Sequence, residues 1–214
     1  MKKTGRIKNQ EGKKARQRKK RAESSGSDED SCAMNIKKVT LKSPIEEKIA
    51  WAEEYYRRFR VQFLKDRAIV DLLNKLKKAI HASHSEMIGV GIARICRECE
   101  QNEGGSCCGA GLENRYDWEL LLINLFLDVN LPQKRHDPEG CYFLGETGCL
   151  LKARHVICIN YVCKKITDLI DPRKLNPLRE KEGEEVNTLF LLHERIKKMV
   201  KVQPFEKCLT VAKP

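Results

Sequence analysis

From residue 43 onward the apolar positions recur every three or four residues. Ile45, Ile49, Tyr56, Phe59, Phe63, Ile69, Leu72, Leu73, Leu76 and Ile80 follow this spacing, with charged residues filling the positions between them. That period predicts an amphipathic helix, single or divided near Asp66, that ends around residues 81–85. Ser43-Pro44-Ile45-Glu46 reads as its start, with Ser43 as N-cap, Pro44 in the first turn and Glu46 placed for a capping box. Gly89-Val90-Gly91 interrupts the pattern, and the Gly- and Ser-rich residues 96–111 read as loop. Asp117 is placed to cap a short helix over residues 118–129, which Pro132 terminates. That helix is apolar on nearly every side, so it is expected to be buried on nearly every side. Residues 133–163 are turn-rich. Asp171-Pro172, Asn176-Pro177 and Glu182-Gly183 mark an irregular connection, and Val186, Leu189, Phe190, Leu192, Ile196, Met199 and Val200 predict a last amphipathic helix over residues 184–201. There is no internal repeat and no alternation of strand and helix units, so the expected fold is mainly α.

Charge divides the chain. Its formal net charge is +12, and residues 1–31 alone hold 11 Lys/Arg against 5 Asp/Glu. The run from Lys13 to Arg21 has no aromatic or apolar side chains to bury, which predicts a disordered basic tail and linker over residues 1–42, ahead of a helical domain over residues 43–205. Such a run attracts phosphates without reading sequence, so non-specific nucleic acid is a candidate partner of residues 1–31. It lacks the stacking residues of single-strand binders. No apolar run reaches the ~18 residues of a membrane helix, so a soluble chain with no membrane partner is expected. The first residues show no apolar signal region and no small-residue cleavage site, which predicts a reducing, cytoplasmic location.

That location gives the cysteines their meaning. Eight of the ten fall within 68 residues: Cys96, Cys99, Cys107, Cys108, Cys141, Cys149, Cys158 and Cys163. In a reducing compartment, clustered cysteines serve metal or redox chemistry rather than disulfides. Cys96-x2-Cys99 sets two thiols close enough for one metal ion, and the Gly-rich stretch after it lets the backbone fold tightly. Cys107 and Cys108 are adjacent, so their side chains tend to diverge toward neighbouring metals or the edges of one cluster. Cys141 and Cys149 bracket the turn Gly145-Glu146-Thr147-Gly148. Cys158 and Cys163 would lie about 140° apart on a regular helix, so they converge only if that segment is irregular. Eight thiolates suit two four-sulfur zinc sites or an iron–sulfur cluster with spares. Cys32 and Cys208 stand apart from the group. His81, His84, His136 and His155 are candidate nitrogen ligands that a sulfur-rich site does not require.

The combined pattern resembles the YkgJ-like cysteine-cluster family of zinc- or iron-chelating proteins. The matching stretches are Cys96-Arg97-Glu98-Cys99, Cys107-Cys108, Cys141-Tyr142-Phe143-Leu144, Gly148-Cys149-Leu150 and Arg154 to Cys158, within residues 90–165. This chain has a longer spacing between its first pair and Cys107 than that family, and Cys163 lies outside the matched set. The resemblance implies metal or iron–sulfur binding without implying one reaction. Flagellin lysine methylase is similar in its cysteine motif, so an iron–sulfur enzyme of redox or group-transfer chemistry stays open. The chain has no Gly-x-Gly-x-x-Gly after a strand, no phosphate loop, no Gly-x-Ser-x-Gly and no His-Glu-x-x-His, so the motifs assign no catalytic residue and no nucleotide cofactor.

Overall fold

The structure is a computed structural model that describes residues 39–103 and 107–202. The basic tail, its Ser-rich linker, Cys32 and Cys208 lie outside the described residues. The protein is mainly helical, as the periodicity predicts. Helix α1 spans Ile45–Lys65 and α2 spans Arg67–Gly89, with Asp66 alone between them. The Asp66 carboxylate accepts from the amides of Ala68 (3.0 Å) and Ile69 (3.2 Å), so it caps α2 where α1 ends. It also accepts from Arg195 Nε at 3.0 Å, which fixes the joint against the last helix. The start of α1 differs from expectation. Pro44 is the N-cap, and Ser43 is turned back to accept from the Thr40 amide, because a tight turn over residues 40–43 competes for its hydroxyl.

Helix α3 spans Ile92–Glu103 and corrects the loop expected from residue 96. Gly91, in the left-handed region at φ +91°, ends α2 and redirects the chain, and no Gly or Pro interrupts the next twelve residues. Arg94 and Glu98 pair across one turn of α3, so Cys96 and Cys99 sit on a helix. A short 3-10 turn, Leu112–Arg115, leads to α4, Trp118–Phe126. Asp117 caps α4 through the Leu120 amide at 2.9 Å, as its position predicts. The helix stops at Phe126, well before Pro132, because Asp128 enters the left-handed region at φ 60°.

A two-residue hairpin follows, β1 (Leu144–Gly145) paired with β2 (Gly148–Cys149). Gly148 takes φ +116° there, which a side-chained residue rarely adopts. Then come α5 (Val156–Asn160), α6 (Lys164–Leu169) and a long α7 (Pro172–Val202). Helix α7 replaces the irregular connection expected over residues 171–183. Pro172 occupies its first position, the Asp171 carboxylate accepts from the Arg173 amide at 2.9 Å, and Pro177 lies near enough to the start to cost one amide bond.

Helix α7 packs along α2, and α4 is inserted against α1 and α7. The main core holds Leu120, Leu121, Leu122 and Ile123 of α4, with Phe63 and Tyr55 of α1. Trp118 stacks with Tyr55 at 4.8 Å between ring centroids, and Phe126 meets Phe63 at 5.5 Å. A smaller core, Ile92, Ile95, Ile166, Ile170, Leu175 and Leu178, joins α3, α6 and the start of α7 at the cysteine-rich end.

One buried side chain couples the main core to that end. Asn124 Oδ1 accepts from the Lys152 and Ala153 amides at 2.9 and 3.0 Å, and its Nδ2 donates to the Ala153 carbonyl at 2.9 Å. Asn124→Leu would leave these groups of residues 152–153 buried without partners. It is expected to lower unfolding free energy by about 3 kcal/mol, read from urea denaturation at neutral pH. A change below about 1 kcal/mol would show that other contacts hold the segment.

Candidate metal centre

The eight cysteines come from six separate segments of the chain. On α3, Cys96 and Cys99 stand three residues apart on one side, and Ile92 and Ile95 root the helix in the smaller core. Cys108 is tied directly to the Cys141 segment. The Cys141 amide donates to the Cys108 carbonyl at 2.6 Å, the Ala110 amide donates to the Glu139 carbonyl at 2.9 Å, and Gly109 bridges Gly140. Buried Glu113 knots the crossing. Its carboxylate accepts from the amides of Gly111 (2.9 Å) and Tyr142 (3.4 Å) and from Arg135 Nη2 at 2.5 Å, while Arg135 also donates to the Gly140 carbonyl. Burial pushes the Glu113 carboxyl upward, but Arg135 and these amides outweigh it and hold it below its ordinary value. Fully buried Lys48 of α1 donates to the Asn114 carbonyl at 3.2 Å and braces the same turn.

Cys149 sits on β2, between the Gly148 turn and the segment that Asn124 pins. Cys158 lies in α5, whose N-cap is His155, with the Ile157 amide donating to His155 Nδ1 at 3.2 Å. Tyr116 fastens α5 to the centre. Its hydroxyl accepts from the His155 amide at 3.0 Å and donates to Cys158 Sγ at 3.9 Å. Extended backbone between α5 and α6 supplies the irregularity that Cys163 needs, and Cys163 stands at the N-cap of α6.

Seven of the eight cysteines, all but Cys99, line one cavity of about 400 Å3. Cys141 is buried, while Cys96, Cys107 and Cys149 reach solvent. Cys99 is half-buried on α3 but does not contribute to the wall. Cys163 does contribute, although it falls outside the motif of the resembling family. The remaining lining is largely apolar, including Ile92, Leu112, Phe143 and Ile159, with Arg154 and Glu182 as its charged members. None of His81, His84, His136 and His155 is on this wall. Tyr116 and Glu182 went unrecognised in the sequence, and Arg154 was marked only as part of the cysteine motif. Glu182 was hidden in an apparent turn, and nothing local marks Tyr116.

The electrostatics of the wall are those of crowded thiols. A hydrogen bond with Cys107, burial, and the charges of Cys107, Cys149 and Cys158 all push the Cys108 thiol far up. Burial, then the charges of Glu113, Cys149 and Cys158, push Cys141 up to about 11. Tyr116 is raised by burial and by the Cys158 charge. Burial and neighbouring thiols thus disfavour ionising Cys108, Cys141 and Cys149, and a metal ion would supply the compensating charge while deprotonating its ligands.

Placement of the sulfurs also bears on the kind of centre. Tetrahedral zinc with Zn–S bonds of about 2.3 Å needs its sulfurs about 3.8 Å apart. Among the described residues, the three-residue group whose ligand atoms all lie within 4.8 Å of one another is Asp117, Glu119 and His193, not a set of thiols. The Asp117 group is explained without an ion. Its carboxylate accepts from His193 Nε2 at 2.9 Å and lies 3.2 Å from Lys197 Nζ, so it ties α4 to α7 and already faces a cation.

In comparisons with known proteins, no family model, no curated protein and no solved structure matches this chain.

Asp117 carries a pH dependence. Burial pushes its carboxyl up, but the bond and charge of His193, the Leu120 amide and the charge of Lys197 outweigh it and hold it at about 2. A depressed folded value means its stabilisation is complete above the unfolded value of about 3.9 and is lost as pH falls toward the folded value. Asp117→Asn keeps the cap and removes the charge. It is expected to cost about 2 kcal/mol at neutral pH, with the difference from the wild type vanishing between about pH 4 and pH 2. Urea denaturation across that range measures it, and a difference independent of pH would contradict the assignment.

Proposed function

We propose that this chain is a metal-binding cysteine-cluster protein whose thiolates hold a polynuclear sulfur-ligated centre, best matched by an iron–sulfur cluster. The observation that carries the reading is the single largely apolar cavity lined by Cys96, Cys107, Cys108, Cys141, Cys149, Cys158 and Cys163. Seven sulfurs on one wall exceed what one tetrahedral zinc ion takes, and that number suits a centre with several metals. Two zinc ions sharing thiolates are the alternative that the same donors allow. The resemblance to the YkgJ-like family supports metal chelation and leaves the choice of metal to experiment.

The residues divide the work. Cys141 and Cys108 would hold the inner side of the centre, because their segments are hydrogen-bonded to each other and to buried Glu113. Cys96, Cys107 and Cys149 would hold its outer side, where solvent reaches them. Tyr116, donating to the Cys158 sulfur, would tune a reduction potential, since hydrogen bonds to ligating sulfur are one of the protein's levers. The apolar remainder limits water around the ligands. When bound, such a centre supplies one-electron chemistry or a Lewis-acidic iron.

The test is composition. Protein purified anaerobically is expected to contain iron and acid-labile sulfide and to absorb broadly near 400 nm. Cys141→Ser and Cys108→Ser should each lose most of the metal, whereas Cys99→Ser should retain it. Zinc without sulfide would replace the cluster by the zinc alternative. Folded protein free of both metals, or Cys141→Ser with undiminished metal, would overturn the reading.

A further inference from the structure

A second cavity, of about 520 Å3, opens beside the thiol cavity, and Met87, Cys96, Cys149 and Arg154 line both. Its charged lining is unbalanced. Arg97 of α3 and Lys152 and Arg154 of the pinned segment contribute three cations, against Glu146 of the hairpin turn. Among the described residues, none forms an ion pair with Arg97, Lys152 or Arg154. Lys152 Nζ donates to the Leu127 carbonyl at 2.7 Å, a neutral acceptor that leaves its charge in place. Glu98, the acidic residue next to Arg97, is paired with Arg94 at 2.9 Å instead. Arg154 lies within electrostatic reach of Glu182 and the Cys149 thiol, at the boundary of the two cavities. The volume is within the range of about 300–1,000 Å3 that small-molecule sites occupy.

We infer that this cleft binds a small molecule through a phosphate group, seated on Arg97, Lys152 and Arg154, with the rest of the molecule against the wall that holds Cys96 and Cys149. Guanidinium forks match phosphate oxygens in pairs, and a dianionic group uses several cations where a single carboxylate would satisfy one. The cleft also adjoins the thiol cavity, so a bound molecule would lie beside the sulfur ligands rather than on a remote face. The inference goes beyond the metal reading and stands on the cleft's own cations.

Isothermal titration of the full-length protein with inorganic phosphate, at fixed ionic strength, tests it. The basic tail also attracts phosphate, so the variants decide. Arg97→Gln and Arg154→Gln are each expected to weaken binding by about tenfold or more, while Lys75→Gln, on an exposed position of α2, leaves it unchanged. Arg97 is exposed on α3, so Arg97→Gln should fold even if Arg154→Gln does not, and its result alone suffices. Absence of phosphate binding at millimolar concentration, or equal binding by wild type and Arg97→Gln, would overturn the inference. Metal content measured on the same samples keeps this result separate from the fate of the metal reading.

Discussion

Crowding of ionisable sulfur is the constraint on which the cysteine-rich end depends. Seven thiols share one wall, and burial together with the charges of neighbouring thiols raises the cost of ionising Cys108 and Cys141. Protonated, they form an ordinary half-buried pocket. Ionised, they demand positive charge, and the protein supplies little of it on that wall beyond Arg154. The proposed metal centre would meet the demand with cations bonded to the sulfurs themselves, the arrangement that soft thiolate ligands stabilise best.

Holding such a wall together falls to neutral and ion-paired contacts elsewhere. The helices α1, α2, α4 and α7 form a conventional apolar core, and two buried polar side chains extend its rigidity outward. Asn124 fixes the segment that leads from β2 to α5. Glu113, paired with Arg135 and braced by Lys48 at the next turn, fixes the crossing of the Cys108 and Cys141 segments. Asn124 and Glu113 are each satisfied by several partners, which is the condition for burying them without large loss of stability. Rigid elements therefore lie behind the cysteines, and the solvent-facing ones, Cys96, Cys107 and Cys149, belong to the outer wall.

Much of this was legible in the chain, for identifiable reasons. The three- and four-residue spacing marks α1, α2 and the later part of α7, because amphipathic helices write their buried face directly into the order of residues. Asp117 declares itself as a cap, and Asp66 marks the division between α1 and α2. The eight clustered cysteines point to a common site, and seven do converge. The errors arose where local signals were overruled. Gly104, Gly105 and Ser106 coloured the reading of Cys96 and Cys99 as loop residues, although the preceding stretch has good helix formers and an Arg94–Glu98 pair. Pro177 and Gly183 read as breaks but are tolerated in α7, where Leu175 and Leu178 bury the same face. Tertiary placement decided the rest. Cys163 joins the wall because residues 161–163 are extended, and Cys99 misses it by its place on α3. Tyr116, Arg154 and Glu182 are gathered from positions whose meaning exists only once the chain is folded.

The most direct measurement is X-ray absorption at the edge of whichever metal the anaerobically purified protein carries. A first coordination shell of sulfur at about 2.3 Å is the predicted result. A shell of nitrogen and oxygen at about 2.0–2.1 Å would place the metal away from the thiols and contradict the account.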